Sequence, residues 1–556
     1  MNESMESQCI SFREIPHTTK LFSTFLDDFN RVSGYYAHPP TLAGIATAAS
    51  EVHLETAARR DLVAVLREEN AAFLGGSLDS ETARNLERLA SGAVAIVTGQ
   101  QVGLFSGPVF SIYKALSAVR CAEEMTQRGT DAVPVFWLAT EDHDLAEINH
   151  CDWNTRAGLA HYDLPSRAND AGKRVGEIVL GSEIEALVET AIESLEGAFA
   201  EDVGRALHES YKPGETYGSA YGKLMARLMA GRGIVFVDPL DARLHRLAAP
   251  TFHRALDQSE SLREELLARS NELDRGGFHA QVKVTRETTL LFYNIEGRRE
   301  PLRSRNGKFT AGNSTFSAEE LHAAIDRAPE SFTANALLRP VVQDTLFPTA
   351  AYIGGPAEIA YMAQAQVAYQ KILGRMPAIL PRSSFTIVEP PIARFLQKYG
   401  LSIRDTIDNR QKLRGKMEEK ALPKALAKRF EKDEAALQRL LNGYKSLLER
   451  LDQTLLGALK SSERNIFHQF QKLKAKTARA ESFRTGVLSR HERILLDSLY
   501  PHAALQERTL CGLPLLAAYG TELLDELSRF SCPPDSSASI PAGSAPCAYQ
   551  HHVLFL

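Results

Sequence analysis

Cysteine is scarce in this 556-residue chain, with six residues (Cys9, Cys121, Cys151, Cys511, Cys532 and Cys547) and no CxxC pair. That argues against a disulfide framework or a thiolate zinc knuckle, so reduced thiols, a cytoplasmic location and no metal site are expected. Charge of one sign is lacking too. Lys and Arg total 64 against 69 Asp and Glu, a net charge of −5. No broad basic field is available to hold nucleic acid, and none is expected as a partner. No window approaches the roughly 18 consecutive apolar residues of a spanning helix, so no membrane is expected either. The opening MNESMESQCISFREIPHTTK has no apolar stretch of the kind a secretory signal needs. What remains is ordinary for a folded chain, at 44% hydrophobic and 24% charged, which excludes wholesale disorder. The length calls for several domains.

The periodicity changes along the chain. Residues 1–90 read as mainly helical, with apolar positions three and four apart through Leu54–Leu74 and Leu78–Leu89. Ala93–Val97 is then a short apolar run, followed by the Gly-rich TGQQVGLFSGP, a helical pattern at Val109–Gln127 and a second apolar run, Val133–Ala139. Strand, loop, helix and strand in this order predict a βαβ unit, and unbroken apolar strands predict a parallel sheet covered on both faces. Gly233–Asp238 is a third such strand. A second βαβ-like unit runs from Ala350–Ile353 through GlyGlyPro and a helix at Ala357–Leu373 to Ala378–Leu380. Between them, 281–310 reads as an antiparallel meander appended to the sheet.

The expected class is α/β, a Rossmann-like parallel-sheet core with insertions at about 150–215 and 240–330. Leu437, Leu441, Tyr444, Leu448, Leu451, Leu455 and Ala458 follow a 4,3 spacing, which predicts a heptad seam. With a second helix near Ser482–Ser498, this gives an antiparallel coiled-coil domain over about 385–500. A C-terminal segment, 501–556, returns to the core. Its 532–548 stretch is rich in Pro, Ser and Gly and reads as a loop, and His552–Leu556 as a closing strand.

Two loops carry the strongest chemical signal. In an open parallel sheet, ligands lie beyond the carboxyl ends of the strands. The first loop offers Thr98, Gly99, Gln100, Gln101 and Gly107 ahead of a helix start, with Lys114 one turn in, which suits a carboxylate or phosphate. The second packs Glu141, Asp142, His143 and Asp144 ahead of Asn149 and His150. Titratable groups in succession repel one another unless they bind something or exchange protons. A solvated acidic helix start is the plain alternative. A zinc or manganese site on Asp142, His143, Asp144, His150 and Cys151 has suitable ligand types, but the spacing fits no closed ligand set. Gly354, Gly355 and Glu358 form a second helix start able to take an anion. Tyr500, Gln506 and Arg508 form a polar cluster after the last long helix.

The strings VTGQQVGLFSGPVFSIYKALSA and VPVFWLATEDHDLAEINH resemble the cysteine ligase of bacillithiol biosynthesis, the cysteine-adding enzyme family. So do GFHAQV, LLRPVVQD, AAYIGGPAEIAYMAQ, LYPHAALQER and HHVLFL, in that order along the whole chain. The resemblance implies a Rossmann-like core similar to class I nucleotidyltransferases, a protruding coiled coil and a homodimer. It also implies a ligase that joins L-cysteine to glucosaminyl malate through an amide. The HxGH and KMSKS-like signatures of class I adenylating enzymes are absent, so ATP and Mg²⁺ enter from chemistry alone: an unactivated acid forms amides poorly in water. On this reading His143, Asp142, Asp144 and Glu141 handle the amine proton, and the helix-start residues hold carboxylates. Tyr500, Gln506 and Arg508 are the candidate nucleotide contacts. A metal-dependent hydrolase or transferase built on the acidic loop, and a non-catalytic coiled-coil scaffold, are the other function classes.

Overall fold

The computed structural model describes residues 6–305, 307–420, 422–535 and 547–556. The chain divides into two compact units: Cys9–Phe385 with Glu507–His552, and Thr386–Gln506 with Met1–Gln8 and Val553–Leu556.

The first unit is built on a parallel sheet of β1 (Val94–Gln100), β2 (Ala132–Leu138), β3 (Val235–Val237), β4 (Thr349–Gly354) and β5 (Ala378–Pro381). Their order is β5-β4-β1-β2-β3, with every neighbouring pair parallel. The chain therefore moves one way from β1 to β3 and then returns to lay β4 on the other side of β1. That reversal opens a crevice at the carboxyl ends of β1 and β4. Every residue of β2, AVPVFWL, is buried, which explains why its pattern does not alternate. Pro134 falls one position before pairing with β3 begins at Val135. Helix α1 (Phe110–Gln127) and helix Leu42–Ser50 pack Ala118, Cys121, Met125, Leu42 and Ile45 around Ile96, Ile353 and Leu380 of the sheet. Each such fully buried Leu, Ile or Met contributes about 1.5–3 kcal/mol.

One expectation is corrected here. The 281–310 meander is not appended to the parallel sheet. Ser314–Phe316, Lys308–Ala311, Arg298–Arg305, Thr288–Ile295 and Phe332–Ala334 form a separate five-stranded sheet in that order. The edge strand β3 is only three residues long and offers little ladder to extend. The insertion after β2 opens with a hairpin, His150–Thr155 with Gly158–Asp163, before its helices.

In the second unit the heptad seam is interrupted. Helix α4 (Lys424–Leu451) ends at Asp452, and α5 (Leu455–Thr485) runs back antiparallel, followed by α6 (Val487–Leu499). Phe430 meets Phe470 edge-on at 5.5 Å, and Gln438 donates to Glu463 at 2.7 Å. The unbroken spacing misled because Asp452, whose carboxylate accepts the Thr454 N–H and hydroxyl, caps a turn inside it. Leu441 is buried, whereas Tyr444 and Leu451 are exposed.

Of the 532–548 stretch, residues 536–546 lie outside the described residues. His551–Phe555 is the last strand. His551 is fully buried, with Nδ1 2.7 Å from Ser384 Oγ, and burial pulls its pKa from 6.5 down to about 4 despite nearby Glu507. The unfolded chain then binds more protons than the native one between these values. Stability is full above about 6.5 and falls as pH drops toward about 4. The denaturation midpoint at pH 5 should lie below that at pH 7.5, with a smaller difference in His551→Gln.

Candidate active site

A cavity of about 550 Å³ lies in the first unit, lined from the ends of β1, β2, β4 and β5. Beyond β1, Gly99 and Gln100 turn toward Lys114 of α1. The Lys114 side chain is 2% exposed, and its Nζ donates to the Gly99 carbonyl at 2.7 Å and to Gln100 Oε1 at 2.8 Å. It also pairs with Glu358, in the first turn of α3 (Pro356–Ala368). Burial pushes the Glu358 carboxyl up, but Lys114 and the Tyr352 hydroxyl outweigh it and hold it below its usual value. The same carboxylate accepts from Tyr352 at 2.5 Å and from the Gly355 N–H at 2.7 Å. The second helix start therefore holds its own glutamate, and Lys114 is committed to that ion pair.

Gly99 has a steric reason to be glycine. A Cβ there would lie 2.7 Å from the Trp137 carbonyl oxygen and 2.9 Å from Trp137 Cβ on adjacent β2. Gly99→Ala should therefore destabilise the unit by about 1–3 kcal/mol, read as a lower urea midpoint.

The cavity is electrically lopsided. On the β4–β5 side stand Arg339, Arg382 and Arg508. Arg339, at the start of α2 (Arg339–Leu346), donates to Tyr361 Oη at 3.0 Å and to Tyr352 Oη at 3.2 Å. Arg382 follows β5, and its Nη2 donates to buried Glu507 at 2.7 Å. Its Nε is buried with no hydrogen-bond partner among the described residues. Burial and the Arg382 charge both pull the Arg508 pKa down. Two cations side by side, one with an unused donor, form a site for an anion.

On the β2 side stand Glu141, Asp142 and Glu147. Gln101 Nε2 donates to Asp142 at 2.8 Å and to Glu147 at 2.7 Å, tying the first loop to the second. Burial pushes Asp142 up, but His143, Gln101, the His143 N–H and the Arg299 charge hold it well below the carboxylate range. Glu141 Oε1 lies 3.1 Å from His245 Nε2.

His143 lies at the mouth, with 43% of its side chain exposed, and not on the cavity wall. Its Nδ1 lies 2.9 Å from Arg299 Nη1 and 3.5 Å from Asp142 Oδ1.

Comparison with known families agrees with this architecture. Residues 5–383 match the N-terminal Rossmann-like domain of the bacillithiol biosynthesis protein BshC, and residues 385–537 match its C-terminal coiled-coil domain. The chain belongs to the BshC family. Relatives include three proteins named "Putative cysteine ligase BshC". The Koribacter versatilis one is 40% identical over 531 residues, covering 95% of this chain and 99% of the relative. That of Solibacter usitatus is 36% identical, covering 93% and 96%. The Salinibacter ruber protein is 32% identical, covering 93% and 95%. The Rossmann-like core and helical coiled-coil domain read from the sequence are therefore those of BshC, and the chain is a ligase of bacillithiol biosynthesis. Among the described residues, no helix is long and apolar enough to cross a membrane.

Several residues singled out in this BshC sequence do other work. Thr98 is fully buried and donates to the Ile353 carbonyl at 2.8 Å, joining β1 to β4. Gly107, at φ 63°, closes a tight turn in which a Cβ would lie 3.5 Å from Gly103 Cα, off the cavity wall. Gly354 accepts the Arg382 N–H through its carbonyl. Asn149 donates to the Leu164 carbonyl at 3.1 Å, and His150 lies against His161. Asp144 is exposed and off the wall. Gln506 spends its whole amide on backbone, accepting from Ile387 and donating to Ile387 and Ser498. Tyr500 does not line the cavity, whereas Arg508 does. Arg299 and Arg382 were not singled out. Arg382 had a signal, a cation directly after a buried strand. Arg299 sits in the middle of an antiparallel strand, where nothing local marks it.

Proposed function

We propose that this BshC-family ligase joins the carboxyl group of L-cysteine to the amine of glucosaminyl malate as an amide, with ATP activating the carboxyl. The observation that carries this reading is the charge distribution of the cavity: Arg339, Arg382 and Arg508 stand on one side, and Glu141, Asp142 and Glu147, with Arg299 beside Asp142, on the other. A substrate with an amine at one end and carboxylates at the other fits that division. The arginines hold carboxylate or phosphate oxygens, with Arg382 Nε as the unspent donor. Asp142, kept ionised, orients the ammonium. Glu141 and His143, with Asp142 holding the ammonium, form the set that takes its proton, and the neutral amine then attacks the activated carbonyl. ATP supplies the leaving group that a free carboxylate lacks.

Mass spectrometry of the protein incubated with cysteine and glucosaminyl malate tests this, with and without ATP and Mg²⁺. Amide product only with ATP and Mg²⁺ is the expected result, and its absence from folded protein under every condition rejects the reading.

The reading includes a homodimer formed through the helical hairpin. Leu440, Leu447 and Leu451 of α4 are 58%, 61% and 79% exposed, leaving an apolar stripe that a second copy would cover. Leu447→Glu with Leu451→Glu should halve the mass seen by sedimentation equilibrium while leaving the circular dichroism spectrum unchanged.

A further inference from the structure

Away from the cavity, three ligand-type side chains converge from distant parts of the chain. Cys9, Cys547 and His552 each offer one ligand atom, and these atoms all lie within 4.8 Å of one another. Cys9 Sγ lies 3.7 Å from His552 Nδ1, a pair 543 positions apart in sequence. Two ligands of one tetrahedral zinc, at about 2.3 Å for sulfur and 2.0–2.1 Å for nitrogen, are themselves roughly 3.6 Å apart. The apo spacing is thus close to that of a filled site.

We propose that Cys9, Cys547 and His552 form a zinc-class metal site, with two thiolates and one imidazole. The spacing patterns of the sequence pointed to no metal. The site escapes such patterns because its ligands come from opposite ends of the numbering.

Two further observations support the site. His552 is 2% exposed, and its Nε2 makes no hydrogen bond within the described residues. Its ring is fixed by Phe385 at 5.6 Å and Phe530 at 5.5 Å, which leaves it little freedom to turn away. Cys9 is half-buried and Cys547 exposed, so the fourth position faces solvent and is open to water or an outside ligand. Soft sulfur with imidazole selects zinc over magnesium or calcium. Binding replaces two thiol protons, which leave to solvent as the metal–sulfur bonds form. Nothing is oxidised. The bound ion fastens the strand Glu6–Ile10 to the strand His551–Phe555.

Cobalt(II) is the probe of choice, because thiolate ligation gives charge-transfer absorption and tetrahedral geometry gives intense visible bands. The full chain, reduced and freed of metal, should take up one cobalt per chain with both features, and zinc should bleach them. Cys9→Ser and Cys547→Ser should each weaken uptake by more than about 100-fold, since even outer-sphere ligand partners are worth about 10–100-fold. Cys532→Ser should leave it unchanged. A second measurement needs no variant: zinc should protect Cys9 and Cys547, but not Cys532, from alkylation as read by peptide mass spectrometry. Reduced, folded protein that gives no thiolate–cobalt band overturns the proposal, whether or not air oxidation joins Cys9 to Cys547. A band that survives Cys9→Ser and Cys547→Ser overturns it as well. Neither readout depends on ligase turnover.

Discussion

Asp142→Asn should lower amide formation by about 100- to 10,000-fold while the chain stays folded, the range typical of losing a positioned acid–base group. The substitution keeps the shape of the side chain and its hydrogen bond from Gln101 in one orientation of the amide, but removes the negative charge. Asp142 is where the two loops after β1 and β2 meet: Gln101 reaches it from one, and the His143 N–H, at 2.7 Å, from the other. His143→Ala should also abolish product. Loss of turnover in both variants means the loop acts as a unit. Near-normal turnover in Asp142→Asn removes the acidic loop from the chemistry, and near-normal turnover in His143→Ala removes His143 alone. Single-turnover mass spectrometry with circular dichroism on the same samples decides between these outcomes.

Lys114→Met should cost about 3–5 kcal/mol of stability, the range for removing one partner of a buried ion pair. Glu358 is mostly buried, with 18% of its side chain exposed, and without the lysine its carboxylate loses the cation it pairs with. The Gly99 carbonyl and Gln100 Oε1 lose a donor at the same time. The double variant Lys114→Met with Glu358→Gln should recover more than half of the loss. The amide keeps the acceptor for the Gly355 N–H and carries no charge. Urea denaturation followed by near-ultraviolet circular dichroism reads both variants. A double variant no more stable than Lys114→Met would mean that steric misfit dominates, rather than an orphaned charge.

Much of this was legible in the residues. Continuous apolar runs announced parallel strands because a strand covered on both faces has no reason to alternate. The order of loops, glycines and helix starts then pointed to the strand ends as the place for chemistry. Gln101, Asp142 and Lys114 were legible for that reason. The heptad seam was legible as amphipathic helix but not as two helices, since the Asp452–Thr454 turn costs the spacing nothing.

The sequence by itself determined the parallel strand set, the two anchoring loops, the helical character of the coiled-coil region and the family, because each is written in short-range periodicity or an unbroken string. Tertiary structure alone decided which charges share a cavity. Arg299 arrives from a separate antiparallel sheet, and Arg382 and Arg508 lie far apart in sequence yet line one wall. Only the fold showed that Lys114 belongs to Glu358 and that Gln506 belongs to backbone. It also brought Cys9 to His552. Electrostatic partnership depends on distance in space, and a linear pattern carries no distance beyond a few residues.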